Sequence, residues 1–77
     1  MPEYLNAGET ALVVEFGRTV DPHLHDEVLS LDAALAAAHL NGVVETVPTY
    51  RSLMVHYDPR KLGRGALIER LEALLAA

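Results

Sequence analysis

The sequence predicts an α+β fold, a two-layer α/β sandwich of order β-β-α-β-β-α, with a four-stranded sheet and both helices on one face. Three observations predict it. Thr10–Phe16 and Ser52–Tyr57 alternate with the period of two that marks half-buried strands. Between them Leu24, Val28, Leu31, Leu35 and Ala38 recur every three or four positions, which is one apolar stripe of a helix. Each half of the chain also runs strand, Asp-Pro, amphipathic helix.

Tyr4-Leu5 is a short first strand, and Asn6-Ala7-Gly8-Glu9 supplies the backbone freedom of a turn. In Thr10–Phe16, alternation places Leu12, Val14 and Phe16 on a core face and Ala11, Val13 and Glu15 on the other. The second set is only half apolar, so the sheet is expected to have one covered and one open face. Asp21 caps a helix expected over 22–40, with Pro22 at its first position and Asp26 and Glu27 adding favourable charge near that end. Asn41-Gly42 reads as its stop, with Gly suited to the left-handed cap. The densest β-branched and aromatic run, Val43–Pro59, is broken by Pro-Thr-Tyr-Arg, ends on Asp-Pro and reads as two strands around a tight turn. The helix between strands suggests a crossover that returns the chain parallel to the strand before it. Pro48 cannot donate to a ladder and belongs at an edge, a bulge or the turn. In the fourth strand Leu53, Val55 and Tyr57 share the core face, and Ser52, Met54 and His56 the open one. Asp58-Pro59 repeats the Asp-Pro start, but Gly63 and Gly65 leave room for a loop before a helix from Ala66. That helix carries Leu67, Leu71 and Leu74, with Ile68 and Leu75 beside them.

Seventy-seven residues allow one domain, 1–77. A chain of this size buries only about 60% of the surface its unfolded form exposes, so its stability is expected to be marginal. No cysteine is available for a disulfide or a thiolate site; histidine and carboxylate remain as possible ligands, and docking or self-association is the other common stabilising device. A hydrophobic fraction of 51% fits a domain that meets a neighbour, although the alanine-rich helix inflates it. A net charge of −5 with scattered basic residues disfavours nucleic acid, which needs a basic face. No apolar run approaches the roughly 20 residues of a membrane span, and Met-Pro-Glu-Tyr-Leu lacks the features of a signal peptide. A cytoplasmic location is therefore expected.

No catalytic constellation stands out. His23 and His25 lie two apart, a spacing that does not bring helical side chains together, so solvated first-turn histidines are the better reading than a metal site. His39 suits a helix C-terminus. Arg60-Lys61-Leu62-Gly63-Arg64-Gly65 lacks the Gly-Lys-Ser/Thr ending of a phosphate loop. Ser30 and Ser52 have no recognisable His and acid partners. The turn is the strongest binding candidate, because Tyr50 and Arg51 are residue types enriched at binding hot spots. With Ser52, Met54 and His56 on the open face they form the expected partner-binding set; no catalytic, cofactor or metal residues are assigned.

Gly42–Pro59, together with Ala11-Leu12-Val13-Val14-Glu15-Phe16-Gly17, Val20-Asp21-Pro22 and Val28-Leu29-Ser30-Leu31, resembles the N-terminal domain of the KipI/PxpB family of 5-oxoprolinase subunits. Members of that family are also called allophanate hydrolase subunit 1. The resemblance runs from about Gly8 to Leu75 and implies the fold order derived above. It departs at Arg18, where the family often has an acid. Such proteins usually continue into a cyclophilin-like domain, which is absent from 1–77. The resemblance implies a subunit of an ATP-dependent 5-oxoproline hydrolase that is not catalytic alone, with ATP used by the assembled complex and related subunits as partners. Its alternative is an antikinase domain that binds a sensor histidine kinase; a self-associating domain, pairing as a homodimer, is a third reading.

Overall fold

The computed structural model describes residues 2–19 and 21–77. Its elements are β1 (Glu3–Asn6), β2 (Ala11–Glu15), α1 (Pro22–Ala38), β3 (Val43–Pro48), β4 (Ser52–Tyr57) and α2 (Arg64–Ala76), the order expected. The sheet runs β1-β2-β4-β3 with every neighbouring pair antiparallel. β3 is therefore parallel to β2, as a crossover through α1 requires, but β4 is inserted between them.

Both helices pack on one face. Leu12, Val14, Leu53, Val55 and Tyr57 of the sheet meet Val28, Leu31 and Leu35 of α1 and Leu67 and Leu71 of α2 in one buried cluster. Phe16 only half joins it, packing at its margin. Thr46 donates to the Asp32 carboxylate at 2.6 Å, tying β3 to α1 on the same side.

The helix boundaries differ from expectation for local reasons. Asp21 caps α1 through its Oδ1, which accepts from the His23 N–H at 2.9 Å. Asp26 and Glu27 lie beyond the first turn, where the helix end has little hold on them. α1 stops at Ala38, and the left-handed cap is His39 at φ 48°, not Gly42. Gly42, at φ 112°, instead shapes the turn into β3, where its carbonyl accepts from Asp58 N–H at 2.7 Å. Asp58-Pro59 starts one turn, not a helix: the Asp58 carbonyl accepts from Lys61 and Leu62. α2 then begins at Arg64, two residues early, after Gly63 with no side-chain cap.

Candidate interaction face

The register defines the face that the helices leave open. Leu5 stands opposite Val13, Val13 opposite Met54, and Met54 opposite Val47. These four residues make a straight apolar row across all four strands, about 14 Å long at the usual strand spacing. Leu5 and Val47, at its ends, are 40% and 41% exposed. Single exposed apolar residues are ordinary on a protein surface, but a continuous row is not scattered exposure. Glu3, Glu15 and Ser52 flank it on one side, and His56 and Glu45, with the buried Ala11, on the other. Arg18 ties the first flank together, 3.8 Å from Glu3 and 3.5 Å from Glu15.

Both sheet edges are blunted, so the face and not an edge is the open element. Opposite Tyr57 and His56, β3 holds Val43 and Glu45, leaving Val44 as an extra, bulged residue that is 73% exposed. β3 ends on Pro48, which has no N–H to offer. On β1, the Arg64 guanidinium donates to the Asn6 Oδ1 at 2.6 Å and to the Tyr4 carbonyl at 3.4 Å. Bulges, edge prolines and short covered strands are the devices that stop strands from adding to an edge.

The structure divides the expected partner-binding residues. Ser52, Met54 and His56 do share the open face, and His56 borders a shallow hollow of about 700 Å³ with Val44, Glu45 and Arg60. Tyr50 and Arg51 are held back towards α1. Thr49 and Ser52 close the turn, the Thr49 N–H donating to the Ser52 carbonyl at 2.8 Å and the two hydroxyls lying 2.6 Å apart. This aims the Arg51 Nη1 at the Arg18 carbonyl, 2.6 Å away, and lays Tyr50 on His25 with ring centroids 4.8 Å apart and planes 16° from parallel. His25 is thus no solvated first-turn residue: its Nδ1 is buried without a hydrogen-bond partner. The reason is tertiary, since the β3–β4 turn folds over the start of α1. Tyr50 keeps 48% of its surface exposed.

The sequence does not single out Leu5, Val13, Met54 and Val47 as a unit. Each residue of the β2 and β4 pair is legible as open-face by alternation; the alignment of all four needs the register.

Around the Asp58 turn both arginines are already engaged. Arg60 donates from its backbone, Nε and Nη2 to the Asp58 carboxylate at 2.9–3.2 Å, and Arg64 is bound to β1. The Arg60 side chain, and then its backbone N–H, hold the Asp58 carboxyl below its usual range. Among the described residues no three His, Cys, Asp or Glu side chains gather as a metal site would require, and no helix is long and apolar enough to cross a membrane.

Comparison with known proteins places this arrangement. The family described as "Carboxyltransferase domain, subdomain C and D" matches residues 2–77. Among functionally curated proteins, none matches. Among solved structures, the conserved protein PH0987 of Pyrococcus horikoshii is similar at 32% identity and a TM-score of 0.87, over 96% of this chain and 34% of that one. The urea carboxylase of Kluyveromyces lactis is similar at 25% identity and a TM-score of 0.91, over 97% of this chain and 7% of that one. The N-terminal domain of the histidine kinase inhibitor KipI of Bacillus subtilis shares the fold, at 20% identity and a TM-score of 0.85, over 99% of this chain and 85% of that one. The chain thus spans about a third of the Pyrococcus protein's length.

Proposed function

Because this chain belongs to the carboxyltransferase domain family, subdomain C and D, we propose that it is a non-catalytic assembly domain of a multi-subunit, ATP-dependent hydrolase or carboxylase. The assembled enzyme acts on 5-oxoproline in the cytoplasm, with ATP handled by a partner subunit. One observation carries the assembly role: the apolar row Leu5–Val13–Met54–Val47 lies on an uncovered face whose edges are blunted. A face of this kind buries its centre against a partner while the flanking Glu3, Glu15, Glu45 and His56 form a polar rim. The substrate assignment is supported by the sequence resemblance, and the carboxylase side by the likeness to urea carboxylase.

Co-expression with the subunits encoded beside it tests the reading. The expected result is co-purification and ATP-dependent conversion of 5-oxoproline to glutamate, both lost on Leu5→Asp/Val47→Asp substitution. Those positions are already exposed, so the isolated variant keeps its fold. Retention of the complex by the double variant removes the face from the interface, and absence of turnover in every combination removes the substrate.

A second reading is an antikinase domain. It is favoured by the shared fold with a KipI domain of almost the same extent. Autophosphorylation of the source organism's sensor kinases, measured with and without this protein, decides it: a rate unchanged at saturating protein rejects the inhibitor role.

A further inference from the structure

A second surface lies on the helix side of the sheet, where residues from the start of α1 and the end of α2 gather around Phe16. Two cavities, of about 350 and 530 Å³, open there and share Phe16, Glu27 and Leu75 in their walls. The first adds Tyr4 and Glu72; the second adds Asp26, Leu31, Ala34 and Leu74. Together they form one groove with an apolar and aromatic floor. Asp26, Glu27 and Glu72 line it and, among the described residues, no Lys or Arg does, His23 at the far wall being its one basic side chain.

We propose that this groove docks a segment of a partner protein that sets a Lys or Arg side chain into the Tyr4–Glu72 cavity and an apolar side chain between α1 and α2. Charge complementarity selects the cation. Aromatic rings beside carboxylates favour an ammonium or guanidinium over any anion. The first cavity is within the range of roughly 300–1,000 Å³ typical of sites for compact groups. Its continuation into the Leu31–Leu74 groove selects a segment over a free small cation, because an isolated ammonium or guanidinium leaves that apolar surface wet. The negative field is already felt by Tyr4, whose phenol is pushed up from its ordinary value by burial and by the charge of Glu72. This surface is separate from the uncovered sheet face, and the inference stands whether or not that face docks.

The test uses the ¹⁵N-labelled protein and three probes: the capped peptide Leu-Arg-Leu-Arg-Leu, its counterpart Leu-Glu-Leu-Glu-Leu, and arginine amide. The expected result is saturable amide shifts centred on Tyr4, Phe16, Glu27, Glu72 and Leu75 with the arginine peptide, none with the glutamate peptide, and at least tenfold weaker binding of arginine amide. Glu27→Gln/Glu72→Gln lowers the peptide affinity at least tenfold, whereas Glu9→Gln/Glu69→Gln, which removes the same charge elsewhere, leaves it within twofold. Both variants are expected to keep dispersed spectra, the sign that they fold. Absence of binding, shifts centred elsewhere, equal weakening by the two variants, or arginine amide binding as tightly as the peptide each overturns the proposal.

Discussion

At Gly42 the backbone leaves no room for a side chain. Its φ of 112° is one that L-residues rarely adopt, and a Cβ there would lie 2.6 Å from the Leu62 Cβ. Gly42→Ala should destabilise the fold by more than about 1 kcal/mol, read as a lower urea midpoint at unchanged slope. Asp58 makes a different kind of prediction. Arg60 holds its folded pKa below the unfolded value of about 3.9. Its contribution to stability is therefore complete above about pH 4 and lost as the pH falls through the folded pKa. Asp58→Asn should flatten the fall of the urea midpoint below about pH 4 and leave the profile near neutrality parallel to that of the parent. Tyr50 and Arg51 are the residues whose surroundings depart most from the sequence expectation. Both remain at the surface, so Tyr50→Ala/Arg51→Ala should leave the circular-dichroism spectrum intact while weakening assembly, and an unchanged complex would exclude the turn from the interface.

The two helices begin differently, and that difference is measurable at the level of the element. α1 has an Asp N-cap followed by Pro, so Asp21→Ala should cost about 1 kcal/mol in a thermal or urea melt. α2 starts on Gly63 with no side-chain cap, in extended backbone and with open space around its Cα. Gly63→Asp should therefore stabilise by about 0.5 kcal/mol, through a cap and a favourable charge at the helix start. The existence of both helices and of the two long strands was legible because apolar periodicity repeats several times within each. Their ends were less so. The stop of α1 depended on His39 taking a left-handed conformation for which Asn41-Gly42 was the stronger local signal.

At the scale of the whole molecule, a cluster of ten buried apolar residues among those described holds the two layers together. A chain of this size has a stability of only about 4–12 kcal/mol. Leu53→Ala, at a fully buried position in β4, should cost about 2–5 kcal/mol and leave a substantial unfolded fraction at 37 °C by circular dichroism. So small a margin leaves the open sheet face and the acidic helix groove as places where a partner adds stability by binding only the folded form.

The sequence by itself determined which residues alternate and which form stripes. That was enough for the element order, the two-layer class, the core set of Leu12, Val14, Leu53 and Val55, and the open-face position of Ser52, Met54 and His56. These are local or periodic properties, set by backbone geometry within one segment. Only the tertiary structure decided the rest. Inserting β4 between β2 and β3 aligned Leu5, Val13, Met54 and Val47 into one row. Folding the β3–β4 turn over α1 laid Tyr50 on His25. Bringing the start of α1 and the end of α2 beside Phe16 formed the acidic groove. Each joins residues from separate elements, and periodicity within one element carries no information about the register or the angle at which it meets another.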